Sequence, residues 1–85
     1  MVNFHTVDAT EARACLPLKT TYIVVSNRGD KNHVGAVELS FENSVDTFLL
    51  KYDERQQFFG DFSHLCYKRF DDGKADKIRL DVYEA

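Results

Sequence analysis

Residues 20–26 limit the fold of this sequence more than any other segment. The segment consists of threonine, tyrosine, isoleucine, valine and a final serine. β-Branched and aromatic residues fit the pleated surface of a sheet better than the surface of a helix. A run without charge on either face is typical of a strand that has neighbours on both sides. The chain is therefore predicted to build a sheet with this segment as a central strand.

Other segments alternate between apolar and polar residues with the period of a strand. The alternation covers residues 34–41, 45–52 and 77–83, and a weaker one covers 2–7. Polar turns at 27–32 and 42–44 connect the central strand to the first two of these runs, which predicts a three-strand antiparallel meander. In the last run Ile78, Leu80 and Val82 are expected to face inward.

Two segments have helical signals instead. Asp8 and Glu11 have the spacing of a capping box, which predicts a short helix over 9–16 that ends at Pro17. A longer helix is predicted between an N-cap at Asp53 and a stop at 71–73, because apolar residues recur there every three or four positions. These residues are Phe58, Phe59, Phe62, Leu65, Cys66 and Phe70.

The predicted fold class is α+β. The 85 residues allow one hydrophobic core, so residues 1–85 are expected to form a single two-layer domain. Its mostly antiparallel sheet would have four to five strands, with one long and one short helix on one face. Because a helix links the last two strands, the final strand is expected to lie parallel to a neighbour.

The cysteines and the N-terminal residues bear on the cellular compartment. Cys15 and Cys66 lie far apart in apolar segments without zinc-ligand spacing, which predicts two reduced, packed side chains. The first residues lack a basic stretch followed by an apolar one, and every apolar run is shorter than a membrane span. A cytoplasmic protein without membrane contact is expected.

The sequence has no motif that names a reaction. His5, His33 and His64 lie outside the spacing of a second metal ligand or a catalytic partner. All three are expected to be exposed, with His5 on the polar side of the first strand and His64 on the polar face of the long helix. The glycines are isolated, and Arg28-Gly29-Asp30 is expected to be a polar turn with Gly29 at positive φ. We therefore predict a non-enzymatic protein with no cofactor and no metal.

The leading functional hypothesis is a small protein-binding module, such as an inhibitor or an accessory, immunity-type or phage-encoded protein. The chain has 14 acidic and 11 basic residues, and carboxylates near the ends of the predicted long helix would steer a larger basic protein. The carboxylates are those of Asp46, Asp53, Glu54, Asp61, Asp71 and Asp72.

The same helix offers a second surface for a protein partner. Gln56, Gly60, Ser63 and Tyr67 would lie together as a notch that a partner or a second copy of the chain fills. The alternative is a kink at Gly60. Edge strands at 2–7 or 77–83 would be another route to a homodimer.

The alternative hypothesis is a regulatory protein that binds nucleic acid, RNA in particular. Basic and aromatic side chains would hold single-stranded RNA, although acidic neighbours cancel part of the charge. The loop residues Arg28, Lys31 and His33 are further candidates for an acidic or phosphate partner. The basic and aromatic set is Lys51, Lys68, Arg69, Lys77, Arg79 and Tyr83.

Overall fold

A computed structural model describes residues 3–29, 35–41, 46–70 and 77–84 of the chain. Across these ranges the chain forms six strands in one antiparallel sheet, in the order β1-β6-β2-β5-β3-β4. The strands are β1 Asn3–Ala9, β2 Ala14–Asn27, β3 Ala36–Phe41, β4 Thr47–Leu50, β5 Arg55–Phe70 and β6 Ile78–Glu84.

The α+β prediction is wrong, because the described residues contain no helix. The segment predicted as the short helix contains the end of β1 and the beginning of β2, and Pro17 lies inside β2. The predicted long helix is β5. Asp53, expected to be its N-cap, lies in the turn before β5 with φ at 62°. No helix long and apolar enough to cross a membrane occurs in the described part of the chain.

Two β-bulges explain the helical spacing of β5. The pairing with β2 shifts because β5 has one extra residue between Phe59 and Phe62, and β2 has one between Pro17 and Thr20. Each bulge interrupts the alternation of side chains between the two faces of the sheet. Core side chains of β5 therefore follow one another at positions 58, 62, 65 and 67. The first two intervals, of four and three residues, also occur along one face of a helix.

The strand predictions are partly correct. Residues 20–26 lie in β2, which pairs with β5 on one side and β6 on the other, so the central strand is confirmed. The β3–β4 hairpin is present, but β5 separates β2 from β3, so the three-strand meander is wrong. β6 is antiparallel to both neighbours and lies inside the sheet, so it is neither a parallel strand nor an edge.

The core lies on the inner face of a sheet that coils on itself. At one end the Arg69 backbone N–H donates to the Thr10 carbonyl at 2.8 Å, and at the other end the Leu50 carbonyl meets the side chain of Asn27. Fully buried side chains come from β2, β3, β5 and β6, and the inward positions predicted for β6 are confirmed. The largest of these side chains are Ile23, Val25, Val37, Leu39, Leu65, Ile78, Leu80 and Val82.

Phenylalanine rings extend this core. Phe41 stacks on Phe62 with ring centroids 4.5 Å apart and meets Phe58 edge-on at 5.1 Å. Phe48 of the β4 edge also contacts Phe58 at 5.1 Å. Because edge-to-face and offset pairs are favourable beyond the burial of area, this cluster fastens the β3–β4 hairpin to β5.

Asn27 joins three segments of backbone from a fully buried position. Its Nδ2 donates to the carbonyls of Gly35 and Leu50, each at 3.0 Å, and its Oδ1 accepts from the Gly29 N–H at 3.0 Å. Gly29 was predicted to have a positive φ, and it does not. A Cβ on Gly29 would instead lie 3.1 Å from Cγ2 of Ile78 and 3.2 Å from Oδ1 of Asn27, so this position favours glycine for lack of space.

The two cysteines form a disulfide, which corrects the prediction of reduced thiols. Cys15 and Cys66 are direct partners in the β2–β5 pairing, with Cα atoms 4.0 Å apart. Cys15 is exposed and Cys66 is buried. The sequence patterns predict the two cysteines in two separate helices, and only the pairing of β2 with β5 brings them together.

We expect Asn27→Ala to lower the free energy of unfolding by about 2 to 4 kcal/mol, because two carbonyls and one N–H, all bonded to a fully buried side chain, lose their partner. Urea unfolding followed by circular dichroism measures this change. The control is Gln56→Ala, which removes an exposed amide and should change stability by less than about 0.5 kcal/mol. Equal effects of the two substitutions would contradict the role of Asn27.

Replacing both cysteines by alanine is expected to cost about 4 kcal/mol, since the disulfide closes a loop with a sequence separation of 51. Urea unfolding of wild type with and without reductant measures the same quantity independently. Reductant should destabilise wild type and leave the double variant unchanged. A double variant as stable as the oxidised wild type would show that the bond adds nothing to stability.

Candidate functional site

The outer face of β1, β6, β2 and the first part of β5 is the candidate site. Residues directly opposite one another in antiparallel strands point to the same side of the sheet. The pairings of these four strands therefore arrange the outward side chains in rows that cross the strands. We call this surface the outer face.

Two aromatic pairs lie on the outer face. Phe4, Tyr83, Val24 and Gln57 form one row across the four strands, and the rings of Phe4 and Tyr83 meet edge-on at 5.8 Å. The next row holds Tyr22 and Phe59, whose ring centroids are 4.8 Å apart.

These rings face solvent. Phe4 is 67% exposed and Phe59 is 75% exposed, the highest values among the large hydrophobic side chains of the described residues. Neither ring is needed to close the core, which lies on the opposite face. The outer face thus presents flat apolar surfaces that are open to a binding partner.

The row beside the first aromatic row has shorter side chains. It contains Thr6, Asp81 and Ser26, followed by Arg55 at the β5 end. Oδ1 of Asp81 accepts from the Thr6 hydroxyl at 3.2 Å and from Nε of Arg79 at 3.4 Å. Thr6, Asp81 and Ser26 are shorter than the rings of the first aromatic row and than Arg79 in the row beyond, and we call this low row the floor of a trough.

Cationic side chains form the far wall of that trough. Arg79 pairs with Asp8 in the next row, and the Arg28 backbone N–H donates to the Arg79 carbonyl at 2.8 Å. Nε of Arg28 lies 3.9 Å from Oδ2 of Asp81. Nζ of Lys77 lies 3.9 Å from Oδ2 of Asp8.

The local charge of the outer face differs from that of the whole chain. Its cationic side chains are Arg28, Arg55, Lys77 and Arg79, and its carboxylates are those of Asp8 and Asp81. At one edge of the face, the carboxylates of Asp53 and Glu54 line a pocket together with Arg28 and Arg55. The chain as a whole has a formal net charge of −3. A partner that combines flat rings with negative charge therefore matches this face better than the chain's average composition suggests.

The structure divides the predicted basic set. Lys77, Arg79 and Tyr83 lie together on the outer face. Lys68 pairs with Glu38 in the other half of the sheet, Arg69 pairs with the buried Val37, and Lys51 follows β4. Of the loop candidates, Arg28 lies at the edge of the outer face, whereas Lys31 and His33 are outside the described residues.

The predicted acidic set is dispersed. Asp46 precedes β4, Asp53 and Glu54 lie in the turn before β5, and Asp61 lies within β5. Oε1 of Glu54 accepts from the Lys51 backbone N–H at 2.7 Å, so this carboxylate already serves the turn. Asp71 and Asp72 are outside the described residues.

The predicted helical notch is absent, because its four residues lie along the extended strand β5. Tyr67 is buried, whereas Gln56, Gly60 and Ser63 are exposed. Gly60 lies in the bulge with φ at 153°, a region that favours glycine. The conformation of the bulge thus accounts for this glycine without a packing partner.

The histidines are placed differently from the prediction of exposed side chains. His5 lies opposite Val82 on the inner side of β1, and its Nε2 is buried without a hydrogen-bond partner among the described residues. His64 is half-buried opposite Pro17, and His33 is outside the described residues. In the described ranges, no three His, Cys, Asp or Glu side chains are grouped as metal ligands.

Sequence reasoning missed most of the outer face. The helical spacing predicts Phe59 on the apolar side of a helix. The alternation of residues 2–7 predicts His5 on the polar side of the strand, whereas the exposed side chain is that of Phe4. Phe4, Asp81 and Tyr83 do stand at alternate positions of two alternating runs, which was a usable signal. The pairing of β1 with β6 and of β6 with β2 was needed to join them.

Comparison with known proteins identifies no matching family model and no matching curated protein.

Tyr67, a buried residue of the core, interacts electrostatically with Asp8 of the outer face. Burial raises the pKa of its hydroxyl above the ordinary 10.0, and the negative charge of Asp8 raises this pKa further. The folded protein therefore favours the neutral tyrosine. The stabilisation is complete below pH 10 and is lost as the pH rises through the folded-state pKa.

We expect wild type to lose stability above pH 10 more steeply than Tyr67→Phe, because only in wild type does unfolding release a proton from the Tyr67 hydroxyl, which stays neutral in the folded protein. Urea midpoints measured from pH 8 to pH 11.5 give the two slopes. In addition, Asp8→Asn should lower the pKa of Tyr67. This pKa is obtained from the rise of tyrosinate absorbance with pH, after subtraction of the same curve for a protein that also carries Tyr67→Phe. Identical slopes for wild type and Tyr67→Phe would contradict this account.

Proposed function

We propose that this protein is a non-enzymatic binding module that holds single-stranded nucleic acid on its outer face. The observation that carries the proposal is the presence of two aromatic pairs, each with one exposed phenylalanine ring, and of arginines on the same face of one sheet. Single-stranded RNA and DNA expose bases that stack on aromatic rings, and their phosphates attract cationic side chains.

The separation of the aromatic row from the cationic row matches the separation of bases from phosphates in a nucleotide chain. Tyr83 and Arg79 lie four residues apart on β6, so the aromatic and cationic rows are separated by roughly 13 Å. Bases would stack on Phe4, Tyr83, Tyr22 and Phe59, and the long arginine side chains would reach back toward the phosphates. A sheet face of four strands accommodates about two or three stacked bases.

The acidic composition of the chain limits the affinity for nucleic acid, but it does not change where nucleic acid would bind. Phosphates respond to the nearest charges, because charges more than about 8 Å away are largely screened at physiological salt. With few phosphate contacts, binding is expected in the micromolar range and should weaken as salt is added.

The hypothesis of an acidic surface for a basic protein stays a prediction. The dispersed positions of Asp46, Asp61 and the Asp53–Glu54 turn give it less support than the outer face gives to nucleic acid. A protein partner nevertheless belongs to the same experiments as an alternative outcome, since aromatic and arginine side chains also anchor protein interfaces.

The proposed binding does not depend on the compartment. The disulfide between Cys15 and Cys66 favours an oxidising compartment over the cytoplasmic location that the sequence predicts. The outer face lies in the part of the sheet formed with β1 and β6, whereas the disulfide joins β2 to the far half of β5. The proposed binding therefore involves neither cysteine.

We expect wild type to bind a fluorescently labelled single-stranded oligonucleotide of mixed sequence, and Phe59→Ala to weaken this binding about 10-fold by removing a stacking platform. Arg79→Ala should reduce the slope of affinity against salt by about one unit. Fluorescence anisotropy titrations at 25, 50 and 100 mM salt measure both effects.

Matched controls come from the other half of the sheet. Phe70→Ala removes a ring that is 51% exposed, and Lys68→Ala removes an exposed cation. Both should leave the affinity unchanged. No binding at 25 mM salt, or equal losses in the controls, would overturn the proposal. A defined protein partner that binds wild type directly after nuclease treatment, and fails to bind Phe59→Ala, would assign the outer face to protein instead.

A further inference from the structure

We propose that Asp81 makes the outer face selective for guanine over the other bases. This inference rests on the proposed function and concerns the middle of the same surface. The carboxylate of Asp81 is present in the centre of the outer face, between the first aromatic row and the cationic side chains. For phosphate binding alone this carboxylate is unfavourable, so it needs a different account.

Asp81 is a half-buried residue in the floor of the trough. Its neighbours across the strands are the short hydroxyl side chains of Thr6 and Ser26. Tyr83 rises two residues away on one side, and Arg79 rises two residues away on the other. The side chain of Asp81 is 19% exposed, so it is reachable only by a group that enters the trough. A base that stacks against Tyr83 would present its edge to this floor.

The chemistry of the floor matches one base. A carboxylate offers two acceptor oxygens and no donor. On the Watson–Crick edge, guanine presents two adjacent donors, N1–H and the N2 amino group. Adenine, cytosine and uracil each place an acceptor beside their donor, and this acceptor would face a carboxylate oxygen. Arginines are the commonest donors to O6 and N7 of guanine, and both Arg28 and Arg79 lie beside Asp81.

The existing contacts of Asp81 are of a kind that guanine can replace. Its contacts with Arg28 at 3.9 Å and Arg79 at 3.4 Å are long for charge-assisted hydrogen bonds. When guanine donates to Asp81, both arginines are released toward the base or the phosphates. When another base is present, Asp81 keeps the arginines and repels the phosphates. Discrimination among the bases thus combines the attraction between guanine and Asp81 with the repulsion between Asp81 and the phosphates when another base is bound.

The test uses octamers of uridine, either unmodified or with one central guanosine, adenosine, cytidine or inosine. Wild type should bind the guanosine octamer about 10-fold more tightly than the others. Inosine, which lacks the N2 amino group, should lose most of this gain. The inosine comparison needs no protein variant, so it remains decisive even if a substitution disturbs folding.

Asp81→Asn should remove the preference while binding the uridine octamer at least as tightly as wild type does, since one negative charge is lost. The control is Asp8→Asn, which makes the same charge change at an exposed position of the outer face and should keep the preference. Urea midpoints confirm that both variants are folded.

The outcomes separate this inference from the proposed function. Equal binding of all octamers would overturn guanine selectivity and leave the nucleic-acid proposal in place. A preference that survives Asp81→Asn, or disappears in Asp8→Asn, would overturn the assignment to Asp81. No binding of any octamer would overturn both proposals.

Discussion

The pairing of β2 with β5 is the constraint on which the rest of the structure depends. These strands have 14 and 16 residues, and the other four attach to them in order, with β6 and β1 beside β2 and with β3 and β4 beside β5. Each long strand has one bulge, and the two extra residues compensate each other. The pairs Tyr22–Phe59 and Pro17–His64 are consequently in the same register. The strands can therefore bend without losing their pairing, and one sheet encloses a core.

The bend also divides the molecule into two halves with different outer surfaces. In the half formed with β1 and β6, side chains opposite one another give the aromatic and arginine rows. In the other half, the disulfide and the Glu38–Lys68 pair occupy the outward positions. Because the bulges change which residues point outward, Phe59 and Lys68 both face solvent although they are nine positions apart. A regular strand would place two such residues on opposite faces.

The sequence predicts the short regular strands better than the long bent ones. Alternation identified β1, β3, β4 and β6, and β-branched content identified the centre of β2. The β5 prediction failed because the three-residue interval between Phe62 and Leu65 breaks the alternation of a strand, and together with the four-residue interval from Phe58 it matches the spacing of a helix. The order of the strands, and with it the contact of Cys15 with Cys66, depends on pairings between distant segments that local patterns do not encode. The predicted Lys77, Arg79 and Tyr83 lie together because they alternate on one short strand, whereas Lys51 and Lys68 depend on the topology.

The core does not require the exposed rings of the outer face. The core is complete with the aliphatic side chains of β2, β3, β5 and β6 and the phenylalanine cluster on the inner face. Single exposed hydrophobic residues are ordinary, but two contiguous aromatic pairs on one open face form a patch that favours association. Arg28 and Arg79 beside this patch would disfavour a purely apolar partner, since their charges would have to be desolvated. A partner with stacked rings and regularly spaced negative charge satisfies both requirements at once.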